Sequence, residues 1–213
     1  MQDLIRDPEA FFEQIAKFGR TSRAMAVLFV VGVSYSLQGL TFFAVLPNSS
    51  EFFGGVAGFV FGDFFQPLML WTIFVATALI LGTVLGGRPS SGRMVKTMAW
   101  ATAPLVGTGV CFAIGRFLAY QGAAAPEPMT YGGFAQEAAE IQEVVMVPNA
   151  SDPVLLAFRA VGSVFALVFF YYSVYAVKAA SDLDLVKSAA VVALPSLFYI
   201  ANVAQIIDLS VLG

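Results

Sequence analysis

Five long apolar stretches dominate this chain and leave few folds open to it. They occupy residues 24–46, 67–85, 97–120, 154–177 and 188–207. About 17–25 apolar residues suffice for a helix to cross the hydrocarbon core of a bilayer. The 213 residues are 59% hydrophobic and only 12% charged, which is more apolar surface than a soluble domain can bury. The sequence therefore predicts an all-α integral membrane bundle of five transmembrane helices, forming a single domain over residues 1–213.

The basic residues predict the orientation of these spans, because Lys and Arg near a span are retained on the cytoplasmic side. Nine of the 11 lie before the first span, between the second and third, or between the fourth and fifth. Segments 47–66 and 121–153, on the opposite side, contain no Lys or Arg and carry seven acidic residues. We therefore expect a protein of the cell membrane with its amino terminus inside and its carboxyl terminus outside.

The segment before the first span, "RDPEAFFEQIAKFGR", carries the features of a helix start. Asp7 is placed to cap the helix and Pro8 to occupy its first position. One face then carries Phe11, Phe12, Ile15 and Phe18, which predicts a short amphipathic helix on the inner leaflet. Such a helix either orients the first span or docks a cytosolic partner, and the first interpretation is favoured.

The segment 52–62 is apolar but too short to cross a membrane. As a helix it would present Gly54, Gly58 and Gly62 on one face, against which another helix packs closely. It is either a re-entrant element with Asp63 at its mouth or a packing segment in the outer interface. The interfacial interpretation is favoured.

The outer acidic loop, residues 121–153, contains a predicted helix in "FAQEAAEIQEVV". Glu137, Glu140 and Glu143 would share a face of it, which suggests either a site for a hard cation or a solvated acidic helix, the latter favoured. Arg116 and Arg159 lie near the outer ends of the third and fourth spans. Each can snorkel to the interface or pair with this loop.

Two spans contain a proline at mid-length, Pro104 in the third and Pro195 in the fifth. Each removes a backbone donor and is expected to kink its helix. Lys96 precedes Pro104 by eight residues and Lys187 precedes Pro195 by the same spacing, which suggests a parallel repeat of two hairpins. The kinks serve either packing or a cavity, and packing is favoured.

Taken together, "DPEAFFEQI", "LWTIFVATALILGTVLGG", "KTMAWATAPLVGTG" and the hairpin "FFYYSVYAVKAASDLDLVKSAAVVALPSLFYI" resemble the Ypt-interacting-protein (YIP) family in its compact prokaryotic form. The resemblance implies a five-span membrane protein that works by contact. Eukaryotic members associate with Rab-type GTPases and with one another. The cytosolic segment before the first span is only about 23 residues here, which argues against a GTPase partner.

The residue inventory argues against an enzyme. The chain contains no histidine, the usual general base near neutral pH and a common metal ligand. No acidic residue falls in the middle of an expected span, and no phosphate-binding or dinucleotide-binding fingerprint is present. We expect no catalytic residue, no metal and no cofactor. The negative net charge of −3 also argues against nucleic acid binding.

Two functions remain. The first is a non-enzymatic scaffold whose partners are the lipid bilayer and other membrane proteins or a second copy of itself. The alternative is a small transporter or channel subunit, with a pathway near the proline-kinked third and fifth spans. The residues that would carry a structural or functional role are Asp63, Pro104, Arg116, Arg159, Pro195, Asn202 and Gln205.

Overall fold

The computed structural model describes residues 2–127 and 133–203, and the regular structure in these ranges is helical throughout. The α-helices are α1 (Gln2–Arg6), α2 (Pro8–Phe18), α3 (Thr21–Val45), α4 (Phe53–Val84), α5 (Ser91–Ala101), α6 (Leu105–Ala119), α7 (Phe134–Ile141), α8 (Pro153–Ser181) and α9 (Leu185–Val203). A short π-helical turn, Gln142–Met146, follows α7. The helical content agrees with the all-α prediction.

Four segments are long and apolar enough to cross a membrane. They are α3, α4, α5 and α6 taken together as Ser91–Ala119, and α8. The fifth expected span, 188–207, falls on α9, of which the structure describes Leu185–Val203. The helices thus match the expected spans in order and position, while the count of five and the orientation stay predictions.

The bundle has two chemically distinct ends. At the basic end, the turn after α4 packs on the end of α8, where Arg88 N–H donates to the Ser181 carbonyl at 2.8 Å. At the opposite, acidic end, Phe42 of α3 stacks on Tyr120, with ring centroids 5.9 Å apart. Here α7 also packs beside the start of α4. The basic end contains acidic side chains as well, such as Glu9 and Asp182, whereas the segments at the acidic end, 47–66 and 121–153, contain no Lys or Arg.

Helix α2 begins as expected, because the Asp7 side chain accepts a hydrogen bond from Ala10 N–H at 3.0 Å. The first part of its apolar face is covered by protein, since Phe12 is fully buried and its ring lies 6.1 Å from that of Tyr172 on α8. Phe11 contacts Trp100 of α5 edge to face. Phe18, at the end of the same face, is 81% exposed. Part of the face that the sequence assigns to the inner leaflet therefore packs on the basic end of the bundle.

The second span begins earlier than predicted. We expected it to start at Pro67, but α4 runs unbroken through Pro67 from Phe53 to Val84, a length of 32 residues. The segment 52–62 is therefore neither re-entrant nor a separate interfacial element. A proline is tolerated inside a membrane helix because neighbouring groups can satisfy the freed carbonyl, which here is that of Asp63.

The predicted glycine face of this segment does receive another helix. Phe134 of α7 sits over Gly58, and the carboxylate of Glu137 lies beside Gly54. The third glycine of the series, Gly62, has no atom near the position that a side chain would occupy. The prediction is confirmed for the first two glycines, and the helix that packs there comes from the outer acidic loop.

The two proline helices differ. Around Pro104 the α-helical pattern is interrupted between Ala101 and Leu105 by a tighter helical turn, in which Ala103 N–H donates to the Trp100 carbonyl at 3.1 Å. Pro195 lies inside a continuous α9. The repeat suggested by the matched Lys and Pro spacing is therefore not reproduced in the local backbone.

Candidate functional site

Helix α3 forms the centre of the bundle and positions the other helices. It packs against α4, α5 and α6, and 56% of its most apolar window is buried, compared with 28% for α4 and for α8. A Cβ added at Gly39 would lie 2.5 Å from the backbone nitrogen of Val60, so α3 and α4 touch backbone to backbone. Helices α4 and α8 are consequently the two outer walls of the bundle.

An ion pair joins two residues that the sequence singled out separately. Arg116 Nη1 of α6 lies 3.3 Å from Asp63 Oδ2 of α4, and the two side chains are only 13% and 15% exposed. The sequence predicts that Arg116 snorkels or pairs with the outer loop, and it puts Asp63 at the mouth of a re-entrant element only in the less favoured of two interpretations. Their pairing depends on the unbroken course of α4, which brings Asp63 alongside α6.

A lateral cleft of about 900 Å³ opens beside this ion pair. Its long wall is a stripe of α4, and Pro195 and Tyr199 of α9 form the facing wall. The lining residues are Gly62, Asp63, Gln66, Met69, Leu70, Ile73, Phe74, Thr77, Arg116, Pro195 and Tyr199. Three of the seven candidates from the sequence, Asp63, Arg116 and Pro195, therefore line one cavity.

The charged groups of the cleft lie at one end of it. Asp63, Arg116 and Gln66 form its mouth towards the acidic end, and the α4 wall then becomes apolar from Met69 to Phe74. Deeper in the cleft, the Tyr199 hydroxyl is hydrogen-bonded to the Tyr35 hydroxyl of α3. This tyrosine pair could not be predicted, because the two residues lie 164 positions apart and neither belongs to a motif.

The remaining candidates lie elsewhere. Pro104 is in the turn between α5 and α6 and does not line the cleft. Arg159 of α8 is 8% exposed, and its Nη1 contacts the Ala150 carbonyl at 3.5 Å in the outer loop. Asn202 belongs to the last turn of α9, where only the backbone is described, and Gln205 lies outside the described residues.

Of the three glutamates expected on one face of the loop helix, Glu137 makes a structural contact with α4. Glu137 Oε2 accepts a hydrogen bond from Gly55 N–H at 2.8 Å, in the first turn of α4. A carboxylate there satisfies a backbone donor that has no partner within the helix and complements the positive end of the helix dipole. Over residues 2–127 and 133–203 no group of three or more acidic or cysteine side chains is arranged to hold a metal ion.

A smaller cavity of about 290 Å³ lies at the basic end, beneath α2. Its charged walls are already paired: Lys178 Nζ lies 2.5 Å from Glu9 Oε1, and Arg93 Nη1 lies 4.0 Å from Asp182 Oδ1. This arrangement fixes α2 to α8 across the basic end. The charged side chains of this cavity therefore serve to dock the amino-terminal helix α2.

The outward surfaces of α4 and α8 differ in the side chains that they present. We call Phe61, Phe65, Met69 and Ile73 the α4 ridge; these residues recur every four positions and are 52–65% exposed. We call Val154, Ala157, Val161, Val164, Val168 and Tyr171 the α8 seam; these alternate in steps of three and four residues. Val161 and Val164, in the middle of the seam, are 50% and 57% exposed.

A family model described as the Yip1 domain matches residues 3–205. No curated protein and no solved structure matches the chain closely enough to count as a relative. The family match spans the N-terminal helix, all the candidate membrane helices and the cleft. The resemblance inferred from the sequence is confirmed, and this chain belongs to the Yip1 domain family as a multi-pass membrane protein.

Proposed function

We propose that this protein is a non-enzymatic scaffold of the cell membrane that associates with a second copy of itself through the α8 seam. The Yip1 family is not a known enzyme family, in keeping with this role. The observation that carries the proposal is the spacing and size of the residues of the α8 seam, of which Val154, Val161 and Val164 are exposed and Val168 is half-buried against the core. The scaffold assembled in this way would hold further membrane proteins at its other faces.

The steps of three and four residues along the α8 seam average 3.5 positions. This is the period at which two helices keep one apolar stripe in contact over several turns. Over 18 residues, from Val154 to Tyr171, the stripe is about 26 Å long. Such a stripe is long enough to cross most of a hydrocarbon core of about 30 Å.

The side chains of the α8 seam suit close approach of a second helix. Membrane helices gain little from the hydrophobic effect on association, because lipid tails are as apolar as the side chains, so van der Waals packing decides. Ala157 is small, and the four valines are short and stiff at χ1, so they lose little freedom on packing. Two copies related by a two-fold axis along the membrane normal would place identical seam residues opposite one another.

Cysteine cross-linking tests this geometry directly. In a Cys111→Ser background, Val161→Cys and Val164→Cys are each oxidised in native membranes, and covalent dimers are expected at both positions. The matched control is Phe65→Cys on the α4 ridge, which is 52% exposed against 57% for Val164 and should not dimerise. Equal cross-linking at all three positions, or none at the two seam positions, would contradict the proposal.

The proposed topology has five spans with the basic end inside. Two exposed serines at opposite ends allow a test, Ser90 in the turn before α5 and Ser50 in the turn before α4. In the Cys111→Ser background, an impermeant maleimide added to intact cells should label Ser50→Cys at once and Ser90→Cys only after lysis. Labelling of both in intact cells would refute the layout.

The alternative, a small transporter or channel subunit, would use the cleft beside Asp63 and Arg116. One observation favours it, the presence of Pro195 in the cleft wall. Vesicles containing the purified protein should show no solute or ion flux above empty vesicles if the scaffold proposal is right. Flux that is lost in Asp63→Asn, Arg116→Ala and Asn202→Ala would favour the transporter instead.

A further inference from the structure

The cleft beside Asp63 and Arg116 is not used by the scaffold role, and its position shows which kind of ligand can reach it. Met69 and Ile73 form one lip and are 65% and 53% exposed on the outward side of α4. The cleft therefore opens sideways, towards the medium that surrounds the bundle. For a membrane-spanning helix that medium is lipid.

The length of the cleft along α4 matches the length of a lipid molecule that lies against this helix. From Val84 to Asp63 is 21 residues of helix, or about 32 Å, close to the thickness of a hydrocarbon core. With Val84 at one boundary, Asp63 lies at the other, at the level of the headgroups. From Asp63 down to Thr77 the cleft runs about 21 Å, past the midplane of the bilayer.

The cleft is charged at its mouth and apolar below it, and a phospholipid is likewise charged at its headgroup and apolar along its acyl chains. The mouth holds one cation and one anion, 3.3 Å apart and mostly buried, with Gln66 beside them. Below the mouth, the walls formed by Met69, Leu70 and Ile73 are apolar. The volume of about 900 Å³ is within the range of protein sites for small molecules.

We propose that this cleft binds a zwitterionic glycerophospholipid. The lipid phosphate lies at Arg116, its ammonium group lies at Asp63, and one acyl chain follows α4 towards Thr77. An anionic headgroup would meet Asp63 with like charge, whereas a zwitterionic one offers each member of the ion pair an opposite charge. The selectivity of the site therefore depends on the two side chains together.

Quenching of a single tryptophan by lipids with brominated acyl chains measures this selectivity. The probe is Ile73→Trp in a Trp71→Phe, Trp100→Phe background; Trp71 Nε1 makes no hydrogen bond, so its replacement removes none. The protein is reconstituted in vesicles that mix phosphatidylethanolamine and phosphatidylglycerol, with one or the other brominated. The matched control is Leu167→Trp, 53% exposed on α8 and distant from the cleft.

We expect brominated phosphatidylethanolamine to quench the tryptophan at position 73 with a relative binding constant about two- to fivefold above that of phosphatidylglycerol. The control at position 167 should not distinguish the two lipids. Equal quenching by both lipids at position 73 would overturn the proposal. So would the absence of quenching by either lipid, which would mean that another part of the chain or a polar solute fills the cleft.

Charge variants then separate the roles of the two side chains. Asp63→Asn leaves a net positive mouth, so the preference should reverse towards phosphatidylglycerol. Arg116→Gln should abolish the preference for phosphatidylethanolamine. The exchanged pair Asp63→Arg with Arg116→Asp keeps the ion pair and should restore that preference, which separates lost binding from lost folding; a wild-type preference in Asp63→Asn would refute the assignment.

Discussion

Helices α4 and α8 are equally poorly buried, yet they expose different surfaces. The α4 ridge consists of Phe61, Phe65, Met69 and Ile73, all large and spaced by four residues. The α8 seam is built from valines and an alanine, ending at Tyr171. Large flexible or aromatic side chains suit contact with disordered lipid tails, whereas short stiff ones let a second backbone approach. If the α8 seam is the interface that we propose, side-chain size and period distinguish it from the α4 ridge, and also from Leu156 and Leu167, which are exposed on α8 beside the seam.

Among the substitutions that we predict, the largest loss of stability is expected on the inner side of α4, where this helix meets α3. A Cβ at Gly39 would lie 2.5 Å from the backbone nitrogen of Val60, so Gly39→Ala must push the two helices apart. We expect a loss of about 2–3 kcal/mol in the free energy of unfolding, measured by denaturant titration in detergent micelles. Gly62→Ala on the outward side, where nothing lies near the added methyl, is the control and should be within about 0.5 kcal/mol of wild type. Similar losses in both variants would contradict the close contact.

A bulky substitution sharpens the comparison of the two outer surfaces. Val164→Trp would separate two packed α8 seams and is expected to weaken self-association by about tenfold, since overpacking costs about 1–3 kcal/mol. Phe65→Trp on the α4 ridge replaces one large lipid-facing side chain by another and should leave association unchanged. Energy transfer between donor-labelled and acceptor-labelled protein in vesicles gives both dissociation constants. If Phe65→Trp weakens association as much as Val164→Trp, the ridge rather than the seam is the interface.

The ion pair between Asp63 of α4 and Arg116 should contribute less to the free energy of unfolding than the backbone contact between α4 and α3. Asp63→Asn leaves Arg116 mostly buried without its carboxylate, and we expect a loss of about 1–2 kcal/mol in unfolding free energy. Asp63→Asn combined with Arg116→Gln should recover part of this loss, because neither charge is then unpaired. Denaturant titration of both single variants and the double variant completes the cycle. Additive losses would show that the two side chains do not interact.

The smallest loss of stability is expected at the acidic end of α4. Glu137→Gln removes the charge that faces the first turn of α4, and we expect a loss of about 0.5–1 kcal/mol at low salt that shrinks as salt is added. Glu143→Gln is the control, since this exposed glutamate follows α7 in the π-helical turn and makes no such contact. Equal effects of the two substitutions would assign the loss to net charge and not to the position of the Glu137 charge beside the first turn of α4.

The spans could be predicted from the sequence because each depends on a local run of apolar residues. The start of α2 was also predictable, since Asp7 and Pro8 act on their immediate neighbours. Pro67 was misread as the start of a span, because a proline at the first position and a proline inside a membrane helix look alike in sequence. Phe53, which truly begins α4, carries no capping residue before it.

The cleft was only partly accessible to sequence analysis. Asp63, Arg116 and Pro195 stood out because charges and prolines are unusual in apolar segments. Their assembly into one site depends on how α4, α6 and α9 pack, which no local pattern encodes. Sequence analysis missed three lining residues, because nothing in their local sequence distinguishes them from other polar or aromatic residues. They are Gln66, Thr77 and Tyr199.

The anchoring of α2 affects how variants with a deleted amino-terminal segment should be interpreted. Phe12 is fully buried and Glu9 is paired with Lys178, so α2 belongs to the folded bundle even though it precedes every span. Removing it would uncover Tyr172 and Trp100 at the basic end. A phenotype seen after deleting these residues would therefore report damage to the bundle, and cannot be credited to the loss of a free tail that recruits something from the cytosol.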